Sequence, residues 1–296
     1  MDVVYVVEPG DGNEELRYSL RSLAAHLPHD RVWIAGHRPA WVSGDVGHIP
    51  TTQQGSRFRN STGNLRAACE HPDVSEEFAY FNDDFFVMEP ADEVPRWHRG
   101  PLDAVIASTR SSLYRRGAQA TALLMSRMRL DTDGPLLSYE MHAPMVVTKA
   151  GMLQALDAGA GLPVLHKRTL YGNMQQLGGD QADDVKVRTL DDGPPDAAFW
   201  STSDAAFTGG RIGVLIRAAF PDPCRYEDGH EDAPAVVLPE GESEPPPAPS
   251  ETAPASLAER PAVRAPVADW RAYADAQDPA DHSGMTKSEL IEQYGG

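Results

Sequence analysis

A chain of 296 residues with 41% hydrophobic content is long enough to bury the core of one substantial α/β domain and to carry an appendage. Its formal charge of -18 is uneven, because residues 227–296 hold 15 acids against 4 bases and leave -7 for the first 226. An acidic chain without a basic patch argues against nucleic-acid binding through phosphates, and no run approaches the ~20 apolar residues of a membrane span. Residues 3–7 are too short for the core of a signal peptide, so a soluble, cytoplasmic protein is expected, with Cys69 and Cys224 as free thiols.

Residues 3–7 read as a buried strand and 10–13 as a loop. Residues 14–26 read as a helix with Leu16, Leu20 and Leu23 on one face and Arg17 and Arg21 together on another. Residues 31–35 make a second strand, turned by Gly36-His37-Arg38-Pro39. Strand, helix and strand in that order predict an α/β fold with a Rossmann-like, mostly parallel sheet flanked by helices. A short helix over 64–70 precedes the aromatic run 78–88, which reads as one buried strand with Asn82, Asp83 and Asp84 inside it. Further on, 102–107 reads as a strand, 118–128 and 149–158 as helices, 161–169 as a segment with a turn, 201–207 as the opening of a helix, and 212–220 as a helix. Clustered Pro, Glu, Ser and Ala over 228–266 predict a disordered linker. Two short helices follow at 267–277 and 285–293, the second with the capping box Thr286-Lys287-Ser288-Glu289. Three parts result: 1–227, 228–266 and 267–296.

The chemistry centres on Asp83 and Asp84. Buried carboxylates must be paired, hydrogen-bonded or bound to a metal. Mg²⁺ or Mn²⁺ is held by one or two carboxylates plus the oxygens of a substrate diphosphate, so Asn82, Asp83 and Asp84 are candidate ligands. An Asx-type turn is the competing reading. Arg17 and Arg21 follow the first strand and could face donor phosphates, which guanidinium forks match; surface solubility is their alternative. Asp204 stands at a helix start, where capping competes with a role as a catalytic carboxylate. Trp33, Trp41, Phe81 and Phe85 read as core.

Several segments together carry a resemblance. They are Leu16-Arg17-Tyr18-Ser19-Leu20-Arg21-Ser22, the strand and turn through Pro39-Ala40-Trp41, Phe58-Arg59-Asn60-Ser61, Tyr80-Phe81-Asn82-Asp83-Asp84, and His142-Ala143-Pro144. In this order they resemble the Stealth family of sugar-phosphate transferases and related glycosyltransferase-like enzymes of actinobacterial phages, over about residues 1–225. The opening strand lacks the family's Trp-Val-Asp-Gly end, and Glu8 stands near the place of that Asp.

The resemblance implies a GT-A-like transferase with Mg²⁺ or Mn²⁺ on Asp83, Asp84 and Asn82. His142 and Asp84 would be its catalytic residues, with Tyr139 and Glu140 in support of His142, and Asp204 joins them as a catalytic candidate only from its place at a helix start. Arg17, Arg21, Arg59, Asn60 and Arg168 would bind substrate, with Arg57 beside them. The expected reaction moves a sugar from a nucleotide-diphosphate-sugar donor to a hydroxyl of a phage or cell-surface glycan or protein acceptor. Transfer of a hexose-1-phosphate is the alternative, and a noncatalytic phage structural or carbohydrate-binding protein is the alternative from another class. The two C-terminal helices resemble small helix-extension-helix modules and could engage a protein partner. A phage-encoded chain would act in the cytoplasm of the bacterial host.

Overall fold

The computed structural model describes residues 1–10, 12–53, 55–130, 134–228, 261, 265–277 and 285–294. They fall in two compact units, Met1–Asp228 and Gly229–Gly296. Of the stretch 228–266, expected as a disordered linker, all but Asp228, Pro261, Ala265 and Pro266 lies outside the described residues. Among the described residues no helix is long and apolar enough to cross a membrane.

The first unit begins β1 (Asp2–Val7), α1 (Glu14–His26), β2 (Val32–Gly36), β3 (Gly47–Ile49), α2 (Arg57–Glu70), β4 (Glu77–Asn82), β5 (Phe85–Val87) and β6 (Trp97–His98). It continues α3 (Leu102–Ser108), α4 (Ser112–Met128), β7 (Met145–Thr148), α5 (Lys149–Ala158), α6 (Lys167–Met174), β8 (Asp180–Gln181), β9 (Lys186–Val187), β10 (Phe199–Thr202), α7 (Asp204–Gly209) and α8 (Arg211–Ala219). A five-stranded sheet of order β3-β2-β1-β4-β7 is its spine. All its strands run parallel except β7, which is antiparallel to β4. The architecture is α/β with a mixed, mostly parallel sheet flanked by helices.

The composition of β1 explains its central place. Val3, Val4, Val6 and Val7 favour a pleated strand, and a parallel sheet covered on both faces can bury every one of them. Alternate residues feed two cores. Val4 and Val6 face one with Tyr80, Leu65, Met152 and Leu170. Val3, Tyr5 and Val7 face the other with Phe81 and the α1 residues Leu16, Leu20 and Leu23. These leucines are fully buried, each stabilising the fold by about 1.5–3 kcal/mol. A smaller sheet, β5-β10-β9, sits over a third core of Phe86, Val187, Phe207, Ile212 and Ile216.

Three readings are corrected. The run 78–88 is two strands in different sheets, because the chain turns at Asp83 and Asp84. Residues 102–107 belong to helix α3, where Leu102 and Val105 meet the core from one face, three residues apart. Ser201 and Thr202 end a strand, and the following helix starts only at Asp204.

In the second unit α9 (Val267–Gln277) and α10 (Lys287–Tyr294) pack around Trp270, Ala274 and Leu290. The expected capping box is formed. The Glu289 backbone N–H donates to Thr286 Oγ1 at 3.4 Å, and Glu289 Oε2 accepts from the Thr286 backbone N–H at 2.8 Å.

Candidate active site

Strand order locates the site. From β1 the chain winds outward through β2 to β3, then returns across the sheet to β4 on the other flank of β1. The carboxyl ends of β1 and β4 therefore form a topological switch point, where open α/β sheets leave a crevice for ligands. Val6 pairs with Asn82, so Glu8 and the turn Asp83-Asp84 leave the sheet side by side. The loop after β1 leads into α1 through Asn13, whose left-handed backbone (φ 35°) brings its side chain round to serve two groups. Asn13 Oδ1 caps the helix by accepting from the Leu16 N–H at 3.1 Å, and Nδ2 donates to Asp83 Oδ2 at 2.8 Å.

The second sheet closes the other side. Ser201 on β10 is paired with both Phe85 and Lys186, which carries the Lys186 ammonium to Asp84. Asp84 Oδ2 accepts from Lys186 Nζ and from Ser201 Oγ, the latter at 2.8 Å. Thr202 Oγ1 donates to Glu15 Oε1 at 2.6 Å. Glu8 pairs with Arg57 at 3.6 Å, and Lys167 Nζ, nearly buried, donates to Ser61 Oγ at 3.1 Å.

Crowding of these acids shifts their protons. Burial, then the neighbouring Asp84, pushes the Asp83 carboxyl up to about 6. Burial, then Asp84, pushes Glu15 up to about 8. Burial raises Glu8 to about 7 against the pull of Arg57. Asp84 goes the other way: burial opposes its charge, but the Lys186 ammonium outweighs that and holds it below the usual carboxylate range. The cluster is thus a group of carboxyls in which one is compensated by a lysine and the rest resist ionising.

His142 stands in the loop before β7, with its backbone N–H and its Nδ1 both directed at Asp184, at 3.1 and 2.9 Å. Arg188 also reaches Asp184, at 3.2 Å. Burial notwithstanding, the bonds from His142 hold Asp184 well below the ordinary range. The arrangement fixes Nδ1 as the hydrogen-bonded nitrogen and leaves Nε2 for chemistry. Arg168 stabilises the same loop by donating Nη1 to the Met141 and Ala143 carbonyls at 2.8 and 2.5 Å, with its guanidinium over the Tyr80 ring. Glu140 Oε1 accepts from the Arg168 and Thr169 N–H groups and so caps α6. Tyr139 donates its hydroxyl to the Gly178 carbonyl.

The expected residues separate into those the fold gathers and those it uses elsewhere. Asn82, Asp83 and Asp84 lie together, and the charges of His142 and Asp204 act on the cluster, Asp204 as the first residue of α7 with Ser203 as the cap. Arg21 does not face it. Buried, it donates Nε and Nη2 to the two oxygens of Glu227 and Nη1 to the Phe220 and Pro221 carbonyls, which commits four of its five N–H donors to the fold. Arg17 pairs with Glu227 at 3.3 Å and lies over Trp41. Arg168 is a buried support of the His142 loop through Nη1, while its Nη2 has no hydrogen-bond partner and the residue lines a cavity with Met141, Ala143 and Pro144. Arg59 is exposed on the first turn of α2, and Asn60 Oδ1 accepts from the Gly55 N–H at 2.9 Å to hold the loop before it. Glu15, Asp184 and Lys186 were not singled out from sequence. For Asp184 and Lys186 the one local signal is the alternation Asp184-Val185-Lys186-Val187, too short to stand above its surroundings.

Among the described residues no three His, Cys, Asp or Glu side chains form a ready metal cage. A Mg²⁺ or Mn²⁺ shared with substrate phosphates needs fewer, and here two carboxylates adjoin Asn82, whose buried Oδ1 has no hydrogen-bond partner. That orphaned acceptor and the all-oxygen set fit such an ion. Comparison with known proteins finds no matching family model and no matching curated protein.

Proposed function

We propose that this chain is a transferase acting on a nucleotide-diphosphate sugar, with a GT-A-like division of labour across the switch point. The observation that carries this reading is the convergence of the Asn82-Asp83-Asp84 turn with Lys186 and with the His142–Asp184 pair at the carboxyl ends of β1 and β4. Asn82, Asp83 and Asp84 would hold Mg²⁺ or Mn²⁺, which supplies positive charge to a diphosphate leaving group. Arg57 and Lys167 stand at the same crevice as further cations. In glycosyl transfer His142 Nε2 takes the proton of the acceptor hydroxyl while its oxygen attacks the anomeric carbon, and the nucleoside diphosphate departs. Asp184 keeps the imidazole oriented and stabilises the cation formed as the proton arrives. Glu8, Glu15 and Asp83, reluctant to ionise alone, gain charge when a cation enters.

Product analysis tests this directly. Full-length protein incubated with a panel of nucleotide sugars, Mn²⁺ and hydroxyl acceptors is expected to release nucleoside diphosphate. Release of the monophosphate identifies hexose-1-phosphate transfer instead. Absence of both, together with no thermal stabilisation by any nucleotide with metal, sinks the transferase reading and leaves a noncatalytic protein.

A further inference from the structure

Lys186 converges on the acidic turn but has no step of its own in the transferase reading. Its ammonium and the Ser201 hydroxyl both fall on Asp84 Oδ2, and among the described residues no hydrogen bond takes Oδ1. The lysine side chain is 16% exposed and Asp84 is 14% exposed, so the pair is sheltered without being sealed from solvent. A lysine is a compact charge on a flexible four-carbon stem, able to change partners without moving its strand. Here that strand is rigidly placed, because β9 is paired to β10 and β10 to β5.

We propose that Lys186 is a tethered counter-cation that competes with Mg²⁺ or Mn²⁺ for Asp84 and passes to the donor's phosphate oxygens when the ion arrives. The inference rests on the transferase reading. Two adjacent carboxylates with no bound ion need one positive charge nearby, and the ammonium supplies it. A divalent ion on Asp83 and Asp84 supplies more charge than the ammonium does and repels it at contact distance. The lysine then needs a new anion, which a diphosphate provides. An ion arriving alone must displace the lysine into solvent, whereas an ion arriving with a diphosphate gives the lysine a partner. Metal and nucleotide are therefore coupled in binding, each raising the affinity for the other by the same factor. The cations nearest in chemistry, Arg57 and Lys167, have partners of their own in Glu8 and Ser61 and do not touch Asp84.

The test is Mn²⁺ binding by electron paramagnetic resonance on the full-length chain, with and without a nucleoside diphosphate. Wild type is expected to bind Mn²⁺ weakly alone and at least about tenfold more tightly with the diphosphate, a step of the size coupled sites show. Lys186→Met is expected to bind Mn²⁺ alone about tenfold more tightly than wild type, while the gain from the diphosphate shrinks to the part that phosphate oxygens on the ion itself supply. Lys186→Arg, which keeps the charge, is expected to retain the coupling. If Lys186→Met fails to fold, Lys186→Gln makes the same comparison. Unchanged or weaker Mn²⁺ affinity in the neutral variant overturns the inference and leaves the transferase reading intact. Absence of Mn²⁺ binding in every variant overturns the inference and removes the metal from the proposed mechanism.

Discussion

Among the carboxyls of the cluster, Glu15 is the one whose charge this fold resists most, and it makes the molecule's response to pH readable. In the folded chain Asp83, Glu8 and Glu15 keep their protons to about 6, 7 and 8, whereas unfolded carboxyls lose theirs near ~4. Between those limits the native state binds more protons than the unfolded one, so stability falls as pH rises. The contribution of these three acids is complete below about pH 4 and is lost as pH passes through their folded values. Asp84, Asp184 and Glu227 act with the opposite sign, since each is held below its ordinary range and its stabilisation is lost as pH falls. His29 and His166, held below the ordinary imidazole range by burial, add stability as pH rises through about 6.5, so the decline in melting temperature without added metal is expected between pH 7 and pH 8, and Glu15→Gln is expected to flatten it. A wild-type melting temperature that climbs over that interval would contradict the cluster. His142→Ala is expected to slow turnover by about 10²-fold or more with little change in melting temperature. A large loss of stability at unchanged rate would make His142 structural. The acids of the aromatic run were visible in the sequence because a carboxylate pair amid Phe and Tyr is conspicuous. Glu15 was not, since on a helix it looks like any solvated glutamate until Thr202 closes over it.

At the scale of elements, α6 and the segment bearing His142 behave as one piece. A Cβ on Gly172 would lie 2.4 Å from the Tyr139 ring, so the helix can pack this closely only without a side chain there. Tyr139 is followed by Glu140, which caps the helix in return. Gly172→Ala is expected to cost about 1–3 kcal/mol through overpacking. It is also expected to lower kcat more than it raises KM for the donor, because the displaced residues lead to His142. Equal stability by chemical denaturation would show that Tyr139 moves aside freely. The long elements were legible: β1 by its valines, α1 by leucines at helical spacing, β4 by its aromatic run. Strands as short as β9 carry too few residues for a period to register, and with β9 went Lys186 and Asp184. The run 102–107 misled because six residues without turn signals fit strand or helix alike, and only packing of Leu102 and Val105 on one side decides.

For the whole molecule, the decisive contacts reach from one end of the first unit to the other. Arg21 and Glu227, with side chains 7% and 4% exposed, are linked by paired bonds, Ser43 N–H donates to the Tyr226 carbonyl, and Asp228 N–H donates to the Trp41 carbonyl. A guanidinium on α1 was readable as a phosphate binder because sequence shows which face a residue shares but not what returns to cover it. Breaking a buried pair of this kind by Glu227→Ala is expected to cost about 3–5 kcal/mol. A chain ending after Asp228 is expected to keep both the melting temperature of the first unit and turnover of a small acceptor, whereas one ending after Ala219 is expected not to fold. A marked loss in the longer truncation would assign the second unit a stabilising role. The same latch sets a clock on synthesis. At ~5–20 residues per second, Arg21 waits on the order of 10–40 s for a partner made 206 residues later. Throughout that interval the guanidinium stays hydrated, and burying it before Glu227 emerges would cost an uncompensated charge, so α1 can dock in its final place only once the end of the unit has been made.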